Sequence, residues 1–533
     1  MNKLAGMNKL ALFGFLALFP AFAVPASAQS EVGEVAFANS GPLEAQEPFL
    51  RGLALLHNFE YPDAAEQFRK AEAVDPDFAM ASWGEAMTFT HPVWMQQDLE
   101  AARAALGRLG ATPEARLAKA KTERERDYLR AVEVLYGSGT KEERDFRYSD
   151  AMAALHQRYP EDVDATAFYA LSLLGTAHQG RDFAIYMKSA ALLEEVFPTH
   201  PRHPGVLHYL IHSYDDPIHA PLGVRAARLY GSVAPNAGHA LHMTSHIFVA
   251  LGRWDDVIAA NERAMSVVNR HRAGKHQPAK TCGHYVTWLH YAYLQERRLD
   301  DARQQLDGCR RMAVAQASPT PPEKDDSIVP GYAEMRLFHL IETGRWDAAD
   351  AFAIPEGRYA DAKFLLAYGD ALAASGGELK SFHAAAARLR ERQRELLAEA
   401  GKREETVDRA YAEIVTRQID ALERLRDGKT EEGIAMLRKT AEAESAMPLE
   451  FGPPPVQKPT FELLGDELLV LGRNAEAEQA YQSALTRAPG RTRSLQGRLR
   501  AEQALGKTGA AERTRAQLQE YVRPAPAART GSL

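Results

Sequence analysis

Apolar positions along this chain recur at three- and four-residue spacings, from about residue 48 almost to residue 521, and seldom alternate. That period places them on one stripe of an α-helix and predicts amphipathic helices nearly end to end, with few strands. A longer period lies over the short one. A helix–turn–helix unit of about 34 residues needs small residues at its positions 8, 20 and 27, where two helices approach. It needs bulky apolar residues at 4, 11 and 24, and proline at 32 to stop the second helix. Gly52, Leu55, Ala64, Phe68, Ala71 and Pro76 occupy positions 8, 11, 20, 24, 27 and 32. Gly465, Leu468, Ala477, Tyr481, Ala484 and Pro489 repeat the series, with Gly472 at position 15 for the tight turn.

These two units resemble tetratricopeptide repeats. The resemblance implies an all-α, right-handed α-solenoid whose concave surface is lined by the first helix of each pair. Weaker half-units share the turn and second helix: Leu251-Gly252-Arg253-Trp254, Gly344-Arg345-Trp346 with Ala349, and Asp427-Gly428-Lys429. The stretch 298–309 fits another second helix. Proline-rich breaks then divide the chain. The expected order is a signal peptide (1–28), a linker (29–47) and N-terminal repeat-like helices (48–200). A histidine-rich central region (201–316), a Pro-rich loop (317–330) and further helical repeats (331–446) follow. A second Pro-rich loop (447–460), C-terminal repeats (461–521) and an aperiodic tail (522–533) complete it.

The first segment is read as a targeting signal. Lys3 and Lys9 precede an apolar run over residues 10–24, and Ala26-Ser27-Ala28 supplies small residues before Gln29. This is the order of a secretory signal peptide, cleaved after Ala28. Pro20 and Pro25 interrupt the run, which falls short of the ~20 apolar residues a membrane span needs. The mature protein is therefore expected in the periplasm or outside the cell, with no membrane span after cleavage. The chain carries 64 basic and 71 acidic residues, a formal charge of -7, so no basic field argues for nucleic acid. Two cysteines cannot build a disulfide framework or a structural zinc site. Cys282 sits just before a first helix and Cys309 near the end of the next second helix, which antiparallel packing would bring together in an oxidising compartment. Free thiols, or Cys282 as a ligand beside His284, are the alternatives.

Histidine placement changes the picture most. Eight of the 18 histidines fall between residues 200 and 246, where uniform scattering would put fewer than two. His208 and His212 are spaced i, i+4; His239, His242 and His246 are spaced i, i+3, i+7. Each set projects from one helix face. If Gly252 stands at repeat position 15, the second set falls at positions 2, 5 and 9; the resemblance points those positions into the groove. Imidazole is the commonest protein ligand for zinc, copper and iron, and Asp215 or Asp216 could add a carboxylate. The five histidines are thus candidate metal ligands. The alternative is that they bond to one another, to carbonyls and to helix caps. His200 and His203 each precede a proline and read as loop and helix-start residues. His57 and His91, with Glu85 and Trp94, could extend a polar wall or simply end their helices. His284, beside Trp288, is a further candidate that could reach the groove.

The wider chain is similar to a group of exported bacterial tetratricopeptide proteins. The residues that carry this likeness include His203-Pro204-Gly205, His208-Tyr209, Ile211-His212, Asp216-Pro217 and His219-Ala220. His239-Ala240, His242-Met243, Ser245-His246-Ile247-Phe248, Trp83-Gly84-Glu85-Ala86-Met87 and Gly452-Pro453-Pro454 belong to it as well. The likeness implies a fold and no established reaction. The sequence shows no G-x-S-x-G elbow, H-E-x-x-H, phosphate-binding glycine loop or C-x-x-C-H. Two functions follow as expectations. One is an exported scaffold that binds a protein or peptide in its concave groove, with a metal at the central histidines. The other is a metal-dependent enzyme, using zinc, copper or iron, built on the same solenoid.

Overall fold

The computed structural model describes residues 31–521, apart from 319, 322–324, 326, 347–349 and 404–408, and the side chains of 401–403. The signal-peptide and tail segments of the sequence lie outside it. Among the described residues the chain folds into 24 α-helices. The N-terminal third contains α1 (Leu43–His57), α2 (Tyr61–Val74), α3 (Ala79–Met87), α4 (Leu99–Leu109), α5 (Pro113–Leu117), α6 (Glu123–Leu135), α7 (Lys141–Arg158), α8 (Val163–Leu174) and α9 (Phe183–Val196). The centre contains α10 (Pro204–Tyr214), α11 (Ala220–Val233), α12 (Gly238–Ala250), α13 (Trp254–Gly274), α14 (His284–Gln295) and α15 (Leu299–Gln316). The rest comprises α16 (Ile328–Thr343), α17 (Ala360–Ser375), α18 (Leu379–Arg403), α19 (Arg409–Arg426), α20 (Thr430–Ser445), α21 (Thr460–Val470), α22 (Asn474–Arg487), α23 (Thr492–Ala504) and α24 (Thr508–Tyr521). Two two-residue strands, Thr90–His91 and Gln96–Gln97, pair antiparallel around a 3-10 turn, Pro92–Trp94.

Each helix packs mainly on the next in sequence, and alternate helices also touch, as in α8 with α10 and α10 with α12. This is an all-α solenoid of tetratricopeptide-like helix–turn–helix pairs. Local chemistry starts the helices where they start. Thr122 with Glu125 and Thr140 with Glu143 form capping boxes on α6 and α7. His203 caps α10, accepting from the Val206 N–H, with Pro204 at the first helical position.

The two helices of a pair differ in burial. Every residue of α8, α10 and α12 is buried, whereas α13 buries one stripe and gives the rest to solvent. The first helices therefore form an inner layer and the second helices an outer one. The repeat register read from the sequence holds: Ala64, Phe68 and Ala71, and Ala477, Tyr481 and Ala484, are buried at their helix interfaces. Glycine makes the tight turn at Gly252 and Gly472, both left-handed (φ +67° and +70°). At the equivalent place between α1 and α2 stands Phe59, also left-handed at φ +58° and almost fully buried. A β-carbon in this region carries strain of about 1–2 kcal/mol.

The solenoid closes on its own middle. The turn between α22 and α23 packs on the turn between α12 and α13 so tightly that a methyl group on Gly490 would fall 2.3 Å from the Gly252 Cα. Trp254 Nε1 donates to the Gly490 carbonyl at 3.0 Å, and Thr492 bonds Gln295 through both its N–H and its hydroxyl. Arg491, fully buried, pairs with Glu462 at 2.6 Å and Glu342 at 2.9 Å and donates to Tyr291 Oη. Removing one member of such a buried set leaves uncompensated charge, typically worth 3–5 kcal/mol, roughly.

Two sequence expectations change. Among the described residues, no α-helix stands between the Gly344-Arg345-Trp346 turn and α17, and residues 351–355 are irregular. Pro355 and the left-handed Gly357 interrupt any helix there, and Ala349 lies outside the described residues. The helix expected after the first Pro-rich loop begins earlier, at Ile328. Cys282 and Cys309 are joined as a disulfide.

Candidate metal centre

The inner layer brings six histidines together. Helix α10 contributes His208 and His212, α12 contributes His239, His242 and His246, and α14 contributes His284 at its first position. The five histidines expected as ligands are all buried, while His284 reaches the surface. They fall into two triads, His208–His212–His239 and His242–His246–His284; in each, one nitrogen per residue lies within 4.8 Å of the others. The triads adjoin, with ring centroids 5.6 Å apart for His212 and His246 and 6.2 Å apart for His239 and His242.

Outer hydrogen bonds orient these rings. His208 Nδ1 is 2.7 Å from the His57 carbonyl oxygen, an acceptor only, so Nδ1 carries the proton and donates. His239 Nδ1 meets Tyr285 Oη at 3.1 Å. Asp215 Oδ2 lies 2.9 Å from His246 Nδ1 and 3.4 Å from His212 Nδ1. His242 Nδ1 is 2.7 Å from Asn261 Oδ1, and the Asn261 amide is held in that sense because its Nδ2 donates to the Val257 carbonyl. The Nε2 atoms are left facing one another. Those of His208, His212 and His239 are buried without a hydrogen-bond partner. Those of His242 and His246 stand 3.3 Å apart.

Protonation does not resolve this crowding. Burial pushes the pKa values of His208, His239 and His242 well below the ordinary imidazole value, and neighbouring imidazoles push in the same direction. Burial lowers His246 to about 4 despite its bond to Asp215. Burial alone would raise Asp215, but the Arg181 guanidinium, the bond to His246 and the nearby His212 outweigh it and hold the carboxyl well below the usual range. Arg181 also contacts Asp216, which in turn holds His219 at 2.8 Å. His208, His239, His242 and His246 are therefore neutral imidazoles, with one ionised carboxylate behind them.

Aromatic rings wall the cluster. Phe59 lies 4.2 Å from His208, and 5.6 Å and 5.8 Å from His239 and His212, measured between ring centroids. Trp288 lies 4.5 Å from His246, and Phe451 of the second Pro-rich loop 5.0 Å from the same ring. Gly452 follows Phe451 and sits against Trp288 so closely that a β-carbon would fall 2.3 Å from the indole. The protein's own segment thus covers this stretch of the inner layer.

A third group, His57, Asp164 and His203, resembles a ligand set only in composition. Both imidazoles bond Asp164 through Nε2, at 2.9 Å and 3.2 Å, while His57 Nδ1 takes Tyr209 Oη and His203 Nδ1 takes the Val206 N–H. Every ring nitrogen is engaged, so this is a packing network. His91 stacks on Tyr61 and bonds the Thr88 carbonyl, and Glu85 pairs with Arg69 and Arg108. Neither reaches the cluster, although Trp94 flanks His239. His200 is an exposed loop residue bonded to Thr199. Sequence reasoning missed Asn261, Arg181, Tyr285 and Phe59, whose roles come from contacts between helices.

No protein-family model and no curated protein matches the sequence. Among solved structures, the chain is similar to the human IFIT1 dimer with m7Gppp-AAAA, at 12% identity over 92% of each chain and a TM-score of 0.35. It is similar to yeast Tom70 at 12% identity, covering 87% of this chain and 96% of that one, with a TM-score of 0.33. The P58(IPK) TPR domain gives 13% identity, 87% and 99% coverage and a TM-score of 0.21. The fold described above rests on the helix pairing itself and not on these likenesses.

Proposed function

We propose that the protein is an exported helical-repeat scaffold built around a transition-metal centre, with His208, His212, His239, His242 and His246 as ligands. One observation carries the reading: three buried imidazoles converge with partnerless Nε2 atoms while their Nδ1 sides face a carbonyl, a carboxylate and a phenol. Orphaned buried acceptors are costly, and an outer partner on the far ring nitrogen is how metal-binding histidines are usually oriented. The donor set is all nitrogen, which favours zinc, copper or iron over magnesium or calcium. The chain's own residues do the positioning. Asp215 anchors His246 and faces His212, the His57 carbonyl fixes His208, and Phe59 keeps water from the enclosed face. A bound ion would supply Lewis-acid or redox chemistry according to its identity.

Export is part of the proposal; the signal-like N-terminus and the Cys282–Cys309 bridge support it. A protein or peptide ligand remains the natural role for the rest of the scaffold, on surfaces other than the stretch that Phe451 and Gly452 cover. The test is metal content in untagged protein purified from the exported fraction, compared with His208→Ala and His242→Ala. Bound zinc, copper or iron in the wild type, reduced in each variant at unchanged helicity, is the expected result. Equal content in all three, or none in any, would refute the centre.

A further inference from the structure

We infer that the cluster holds two ions, one in each histidine triad, with His284 completing the second; this rests on the metal-centre reading above. The five buried histidines cannot all serve one ion of ordinary coordination, because zinc takes about four ligands. Ligand spacing allows a division into two triads, which the set His212, Asp215 and His246 straddles. His208, His212 and His239 turn their free Nε2 atoms toward one another under the Phe59 ring. Across the divide, His242 and His246 each have Nδ1 bound to an acceptor, so both Nε2 atoms present lone pairs at 3.3 Å. Two lone pairs at that distance repel unless a cation lies between them. Two nitrogens about 2.0–2.1 Å from a tetrahedral ion stand roughly 3.3 Å apart, which matches the observed spacing.

His284 supplies the third nitrogen. It heads α14, follows the left-handed Gly283 at φ +106°, and its ring centroid lies 4.7 Å from that of His242. The Cys282–Cys309 bridge anchors the chain two residues before it. His284 is the exposed member of its set, so the second triad lies nearer the surface than the first. The first triad is enclosed. Asp215 Oδ2 lies near Nδ1 of one histidine from each triad, so a single carboxylate orients and partly neutralises both centres. The ions that suit this set are nitrogen-seeking first-row transition ions.

The experiment strips the full-length exported protein with a chelator and titrates it with Zn²⁺ against a competing chelator. Wild type should take up two equivalents. His284→Ala should take up one, with helicity and the Cys282–Cys309 bridge retained, and His208→Ala should lose the other equivalent. His284→Gln guards against a packing effect and should behave as His284→Ala does. Two equivalents in His284→Ala, or one equivalent in wild type that only His208→Ala removes, would overturn the two-ion assignment while leaving the metal centre standing. No uptake by wild type would overturn both.

Discussion

At the scale of single residues, the histidines are legible in the sequence because helical spacing alone decides which share a face. His208 with His212, and His239 with His242 and His246, could project only together. What orients them is not legible. Asn261, Arg181 and the His57 carbonyl reach the cluster from distant parts of the chain, and no local pattern announces such contacts. Phe59 is a special case, since a phenylalanine in a left-handed turn that glycine would fill at lower cost suggests that its ring is wanted where it lies. Buried neutral histidines outside the centre make stability depend on acid. Burial lowers His57 to about 4 despite its bond to Asp164, and burial, with His339 nearby, lowers His290 well below its ordinary value. Both are neutral in the fold and titrate near 6.5 when unfolded, so the unfolded chain binds more protons below that pH. Their stabilisation is fully present above about pH 6.5 and is lost as pH falls toward 4, on the order of 3 kcal/mol for His57 alone. Urea midpoints measured on metal-free protein should therefore fall steadily between pH 6.5 and 4; a flat profile would contradict the burial of these rings.

At the scale of helices and turns, the repeats with small residues at every close approach are read correctly, because an alanine or glycine there leaves few alternatives to paired helices. The reading fails where proline enters. The Gly344 turn looks like its counterparts, yet the described residues 351–355 are irregular, ending at Pro355 just ahead of Gly357, and α17 packs against Trp346, whose indole N–H donates to Asp370. The disulfide follows from helix geometry. Antiparallel packing of α14 and α15 sets Cys282 and Cys309 4.3 Å apart between Cα atoms, closing a loop of 27 residues. On the chain-entropy picture such a loop restrains the unfolded state by about 3–4 kcal/mol. Denatured, unreduced protein should show no titratable thiol, and Cys282→Ser with Cys309→Ser should lower the unfolding midpoint. Two free thiols would remove the bridge and with it one anchor of His284.

At the scale of the whole molecule, the arrangement is a solenoid whose last repeats return to its middle. The Gly252–Gly490 contact and the Arg491 cluster join α12–α14 to α21–α23, and the Pro-rich segment between α20 and α21 runs back across the histidines. That this segment is extended is clear from its prolines; that Phe451 ends on His246 is not, since nothing local records a contact across two hundred residues. Closure matters to the site because Phe451 covers His246 and His212, which an open groove would hydrate, and dry lone pairs are what make a bound cation the natural occupant. X-ray absorption at the zinc edge of the reloaded wild-type protein tests that claim most directly. The expected result is a first shell of imidazole nitrogens at about 2.0–2.1 Å, with the outer-ring scattering that histidine produces. Zinc surrounded only by oxygen, or protein that retains no zinc to measure, would contradict it.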